Sequence, residues 1–207
     1  MSSYKKIGVF GGTFSPPHTG HISSAKRFLL QENLDELLII PTFLPPHKDV
    51  SSDVTPQRRL EMCKLAFKGV KGATVSDIEI KREGRSYTYL TLSELKEKYT
   101  DAHLYLLCGT DMILSFDTWY RFEDIFKIAT VVYIRRENDE KISLQLEKKV
   151  SEYREKYGAS IKELVGETLE ISSTQLRLAI RQDEKVSDFL TKETEEYIKK
   201  WNLYQKI

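Results

Sequence analysis

Ile7-Gly8-Val9-Phe10-Gly11-Gly12-Thr13-Phe14-Ser15-Pro16-Pro17-His18-Thr19-Gly20-His21 is an apolar run that stops at two glycines, crosses two prolines and enters a helix through His-x-x-His. A buried strand ending in this way has the layout of a strand, loop and helix phosphate site, in which the first N–H groups of the helix and its dipole face an anion. Gly11 and Gly12 close the strand. Gly12 and Gly20 let backbone approach a phosphate, and Gly11, Thr13 and Phe14 are expected to bind the nucleotide with them. His18 and His21, three apart, share one helix face, and each can donate a hydrogen bond to a phosphate oxygen. Two structural histidines or a metal pair compete with that reading. A metal pair wants a third His, Cys or carboxylate at a fixed spacing, and none is adjacent, so no metal ligand is assigned. Neither Gly-x-x-x-x-Gly-Lys-Ser/Thr nor Gly-x-Gly-x-x-Gly follows the strand, which disfavours a P-loop enzyme and a dinucleotide-holding oxidoreductase.

Outward from this stretch, strand and helix signals alternate. Tyr4–Phe10 reads as a strand and Thr19–Glu32 as a helix with Ile22, Ala25, Leu29 and Leu30 on its inner side. Leu37–Ile40 is continuously apolar, as a strand covered on both faces requires. A long loop, Thr42–Thr55, carries Pro45-Pro46-His47-Lys48, and Pro56 opens a helix with Leu60, Cys63, Leu65, Ala66 and Phe67. Strand Ala73–Ile78, helix Thr88–Tyr99 and strands Leu104–Cys108 and Thr130–Ile134 follow. Lys141–Tyr157 is a helix packed on the sheet edge, Ser160–Val165 and Thr168–Ile171 are two short strands, and the last helix, Lys192–Trp201, turns Tyr197, Ile198 and Trp201 inward.

This order predicts an α/β fold: a doubly wound, Rossmann-like, mostly parallel sheet with helices on both faces and a small helical C-terminal part. Residues 1–207 read as one domain, with the C-terminal helical portion from about 172 to 207. In such a sheet the ligand lies beyond the carboxyl ends of the strands, so the residues just after Phe10, Ile40, Cys108 and Ile134 should converge.

Composition limits the partners. The 32 Lys and Arg against 31 Asp and Glu leave a net charge of +1, which supplies no broad field for nucleic acid. Any anionic ligand must meet a local cluster. Cys63 and Cys108 lie in apolar segments with no Cys-x-x-Cys pair, which suits buried thiols in a reducing compartment. With no apolar run near the ~20 residues that cross a bilayer and no apolar signal core, the expectation is a cytoplasmic protein without membrane or nucleic-acid partners. A homo-oligomer is left open.

A second cluster is Ile171-Ser172-Ser173-Thr174-Gln175-Leu176-Arg177. Ser and Thr at a helix start are ordinary caps. Arg177, one turn on, makes the same helix start a second anion site, suited to the far end of a triphosphate. Lys48 either adds a point charge from its proline-stiffened loop or is a solvated surface lysine.

The chain resembles the bacterial nicotinate-nucleotide adenylyltransferases, from Ile7 to about Tyr204. The resemblance rests on Gly-Gly-Thr-Phe-x-Pro-Pro-His-x-Gly-His, Pro-Pro-His-Lys, Arg85-Ser86-Tyr87-Thr88, Gly109-Thr110-Asp111, Trp119-Tyr120 and Ile-Ser-Ser-Thr-x-x-Arg, in that order. It implies adenylyl transfer from Mg²⁺-ATP to nicotinate mononucleotide. By the same likeness His18 and His21 contact ATP phosphates, and Ser172, Ser173, Thr174 and Arg177 hold the outgoing pyrophosphate. Gly109 and Asp111 line the nucleotide pocket, Thr88 and the Tyr120 backbone receive the nicotinate carboxylate, and Trp119 stacks on the pyridine ring. Ser15 and Leu90 stand where the family generally has Asp. Another acceptor on the same scaffold, such as nicotinamide mononucleotide or phosphopantetheine, and a nucleotide binder with weakened catalysis remain as alternatives.

Overall fold

The computed structural model describes residues 4–45, 54–135, 140–166 and 171–205. In chain order these form β1 (Lys5–Gly12), α1 (Thr19–Gln31), β2 (Glu36–Pro41), α2 (Pro56–Phe67), β3 (Ala73–Val75), α3 (Ile78–Arg82), α4 (Thr88–Lys98) and β4 (Ala102–Gly109). Then come α5 (Thr110–Leu114), a 3-10 turn (Phe116–Thr118), α6 (Phe122–Ile128), β5 (Ala129–Ile134), α7 (Glu140–Tyr157), β6 (Ile161–Leu164), α8 (Ser173–Arg181) and α9 (Lys192–Lys200). No described helix is long and apolar enough to cross a membrane.

The sheet order is β3-β2-β1-β4-β5-β6, and every strand pair is parallel. Chain direction across the sheet reverses between β1 and β4, the topological switch point at which such sheets leave a crevice. Alternate strand residues feed two cores. Ile7, Val9, Leu104, Leu106 and Val131 pack with Leu92, Phe116, Phe126 and Tyr153 on one face. Leu37, Ile39, Leu107 and Val132 pack with Ala25, Phe28, Cys63 and Phe67 on the other. This is the doubly wound arrangement expected from strands that are apolar on both sides.

A third core joins Met62 and Val54 to Leu176, Ile180, Ile198 and Tyr204. Helix α2 therefore packs on both of its sides, against the sheet through Cys63, Ala66 and Phe67 and against the C-terminal helices through Met62.

Several boundaries and facings differ from the sequence reading. The strand expected over Ala73–Ile78 ends at Val75, and Ile78 begins α3, whose five residues are too few to show a helical period. The short helices α5 and α6 escaped for the same reason. On α1 the buried residues are Ser24, Ala25 and Phe28, whereas Leu30 is 77% exposed. Leu30 lies about 200° around the helix from Phe28, so one side cannot bury both. On α9, Ile198 is buried and Tyr197 packs on the third core, but Trp201 faces outward under the Arg58 guanidinium, 3.5 Å from its ring centroid. Of the two short strands near Gly166, the first is β6. The second, Thr168–Ile171, falls almost wholly outside the described residues, as does Lys48.

Candidate active site

The loop leaving β1 begins the site. Thr13 follows the strand, Phe14 takes a left-handed backbone (φ 48°), and Ser15 to His18 are buried. A Cβ on Gly12 would lie 3.1 Å from the Phe14 ring, so this glycine makes room for the ring. Phe14 itself is 2% exposed and packs edge-on against Phe10, His21 and Phe67. Its side chain supports His21 from beneath and does not line open space.

His18 is the N-cap of α1. Its backbone N–H donates to His21 Nδ1 at 3.2 Å, and the two imidazoles lie 3.7 Å apart, centroid to centroid. Nδ1 of His21 is therefore the acceptor side of this pair. Gly20 allows the next contact. A Cβ there would meet the His18 ring at 3.0 Å and Ile171 at 3.2 Å, so only a bare backbone lets α1 close on the residues before α8.

Helix α8 is tied to the histidine loop by side chains. Arg177 Nη1 donates to the Ser15 carbonyl at 2.8 Å and Nη2 to Thr174 Oγ1 at 3.0 Å. Ser173 Oγ donates to the Pro16 carbonyl at 3.0 Å. Ser172 and Gln175 form a reciprocal capping box, so for Ser172 the cap reading holds in this structure. Imidazoles from residues 18 and 21 and a guanidinium from residue 177 thus belong to one wall.

The loops after the other strands meet the same edge. Thr110 Oγ1 donates to the Ile134 carbonyl at 3.0 Å, joining the ends of β4 and β5. Gly109 caps α5, and Asp111 is exposed in its first turn. The loop after β2 is stitched to the segment before α4: Phe43 N–H donates to Ser86 Oγ at 2.9 Å, and Ser86 N–H donates to the Leu44 carbonyl at 2.9 Å. Tyr87 and Tyr89, either side of Thr88, lie 4.9 and 6.0 Å from the Tyr120 ring. Trp119 is half-buried and stacks one face on Phe116 at 4.6 Å. The segments that carry Thr88 and Trp119-Tyr120 are therefore brought together.

Three contributors were not read from the sequence. Arg59 is 1% exposed and donates to Thr13, Thr42 and Phe43 carbonyls. A signal existed, since residues 59, 63 and 66 fall on one apolar helix face where an arginine is out of place. Tyr204, near the end of the chain, places its hydroxyl 3.1 Å from Ser15 Oγ, and burial pushes its pKa up. The Ser15 hydroxyl is thus met by a neutral tyrosine hydroxyl and not by a charge. Leu90, the other departure, is 38% exposed on α4.

The third is Glu79, 5% exposed, which accepts from Thr91 Oγ1 at 2.6 Å, while Arg82 donates to the same hydroxyl at 2.8 Å. Burial raises its pKa against the opposing hydrogen bonds from Thr91 and Ser86. A carboxyl whose folded pKa is raised binds more protons folded than unfolded above the ordinary carboxylate value, so its contribution to stability falls as pH rises through that window. Glu79→Gln is expected to gain stability relative to wild type between pH 4 and pH 7, read as the difference in Tm. A difference that stays constant with pH removes Glu79 as its source. Burial also raises the Cys63 thiol pKa, so Cys63 is no nucleophile.

Residues 9–179 match the model of the cytidylyltransferase-like family. A probable nicotinate-nucleotide adenylyltransferase of Clostridium perfringens is 36% identical over 205 residues, covering 98% of this chain and 99% of its own. The nicotinate-nucleotide adenylyltransferase of Bacillus subtilis is 39% identical over 132 residues, covering 64% of this chain and 70% of its own. Among solved structures, Plasmodium falciparum nicotinic acid mononucleotide adenylyltransferase complexed with NaAD superposes with a TM-score of 0.75 at 19% identity, covering 97% of this chain and 98% of that one. That likeness concerns the fold.

Proposed function

The chain belongs to the nicotinate-nucleotide adenylyltransferases of the cytidylyltransferase-like family, and on that premise we propose that it transfers the adenylyl group of ATP to nicotinate mononucleotide. The products are nicotinate adenine dinucleotide and pyrophosphate. The observation that carries this reading is the Arg177 to Ser15 contact at 2.8 Å, which joins the histidine loop to the start of α8 at the sheet's switch point.

In the reaction an oxygen of the mononucleotide phosphate bonds to the α-phosphorus of ATP, and the bond from that phosphorus to the bridging oxygen breaks. The attacking phosphate is largely dianionic at neutral pH, its second pKa being about 6, so no general base is needed. The protein's part is in-line placement and donors aimed at the charge that moves onto the leaving group. His18 and His21 supply N–H groups at the transferring phosphoryl. Arg177, Ser173 and Thr174 take the pyrophosphate end, while Gly11, Gly12, Thr13, Gly20, Gly109 and Asp111 surround the nucleotide. Magnesium enters with ATP as part of the substrate. No group of three or more His, Cys, Asp or Glu that could hold a metal occurs among the described residues. The reading goes with a cytoplasmic protein that acts on small molecules.

On the acceptor side, Thr88 and the Tyr120 backbone receive the carboxylate, and Trp119 offers the ring face opposite Phe116. Trp119→Ala is expected to raise KM for nicotinate mononucleotide by up to about tenfold, the worth of one aromatic stack, with KM for ATP changed less than about twofold. Equal effects on the two substrates would take Trp119 out of the acceptor pocket. The function itself is tested by pyrophosphate release from Mg-ATP with nicotinate mononucleotide, nicotinamide mononucleotide and phosphopantetheine in parallel. Release with the nicotinate form foremost is expected. Nucleotide binding without release under any acceptor overturns the reading.

A further inference from the structure

Helix α2 carries an arginine that the reaction scheme leaves without a role, and its surroundings are unusual. Arg59 is 1% exposed between the sheet and the C-terminal helices. Its Nη1 donates to the Thr13 carbonyl at 2.8 Å and to Thr42 Oγ1 at 3.4 Å, and its Nη2 donates to the Thr42 carbonyl at 2.6 Å and the Phe43 carbonyl at 3.1 Å. Nε is buried with no acceptor. All four acceptors are neutral, and among the described residues no carboxylate pairs with the guanidinium. The titratable groups that face it are Cys63, Tyr204 and Glu79, none bonded to it.

A fully buried cation held only by neutral oxygens is costly to keep. Its position accounts for its presence. The Thr13 carbonyl belongs to the loop that carries the histidines, and Phe43 is hydrogen-bonded to Ser86, two residues before Thr88. One guanidinium thus braces the loops after β1 and β2, and through them both halves of the crevice.

We propose that Arg59 is a positioning residue for adenylyl transfer, holding the β1 and β2 loops in register and keeping beneath them a positive charge that is matched only when a polyphosphate is bound. This rests on the ATP reading above. Arg59 touches no substrate. It acts through Thr13 and Phe43 and through its field, which a low-dielectric surround leaves poorly screened.

The test compares Arg59→Met and Arg59→Lys with wild type, using Mg-ATP as the probe. For Arg59→Met the unliganded Tm is expected to fall, because the Thr13, Thr42 and Phe43 carbonyls lose their donor, while the Tm increase on adding Mg-ATP shrinks and KM for ATP rises ~30-fold, as when one partner of a buried charge interaction is removed. Arg59→Lys keeps a charge, but a desolvated ammonium loses its proton at lower pH than the guanidinium does. Its ATP affinity relative to wild type is therefore expected to be highest near pH 6 and to fall as pH rises to 9. Arg59→Met with wild-type KM for ATP overturns the proposal. So does an Arg59→Lys to wild-type ratio that is flat with pH, and this second measurement decides the matter if Arg59→Met does not fold. A wild-type protein that gives no response to Mg-ATP sinks the adenylylation reading itself, whereas a wild-type response shared unchanged by both variants sinks only the role of Arg59.

Discussion

Replacing His18 with alanine is expected to lower kcat by about 10²- to 10³-fold, the usual loss when one preorganised donor is removed from developing transition-state charge. KM for nicotinate mononucleotide should change by less than about threefold, because a donor that strengthens only as charge builds contributes little to the ground state. His18 is 6% exposed and lies 3.7 Å from the His21 ring, so Tm must be recorded alongside. His18→Asn, which keeps a donor and a good N-cap, is expected to recover stability and only part of the rate. Steady-state turnover equal to wild type in the alanine variant removes His18 from the reaction.

Arg177→Ala is expected to lower kcat/KM for ATP by about 100-fold or more, since a charge-assisted contact to the leaving pyrophosphate disappears together with the tether to Ser15. Arg177→Lys should restore only part of this. An ammonium replaces the charge but cannot reach the Ser15 carbonyl and Thr174 Oγ1 at once, as the fork of the guanidinium does. The comparison separates charge from geometry: full recovery by lysine means that charge alone is needed, and no recovery means that the fork carries the effect. An alanine variant within about threefold of wild type contradicts the placement of Arg177 at the polyphosphate.

Much of the architecture was legible before any coordinates. β1, β2, β4 and β5 are continuous apolar runs closed by Gly or Pro or by a shift to polar residues, and α1, α2, α4 and α7 have helical spacing long enough to register. From residue type alone the loop from Gly11 to His21 and the start of α8 read as anion sites, and the structure joins the two through Arg177 and Ser15. Glu79 and Tyr204 were not legible, because a buried carboxyl or hydroxyl looks in the sequence like any surface residue until its neighbours from other elements are known, and the one trace of Arg59, an arginine on the apolar face of α2, did not show what it would hold. Leu30 and Trp201 erred in the opposite sense, as apolar side chains that the packing leaves outside.

The periodicity and local chemistry of the chain alone determined that a parallel sheet would form and where the glycine-bearing turns after its strands would lie, because helix, strand and turn preferences act between residues close in sequence. Only the tertiary structure decided that Ser15 would meet Tyr204, 189 positions away, and Arg177, 162 positions away. It also decided that an arginine on α2 would be the brace for two loops. Such contacts depend on how α8 and the C-terminal turn settle against α2 and the β1 loop, and the free energy of that docking comes from a shared apolar core of Met62, Leu176 and Ile198 that no local stretch of sequence contains.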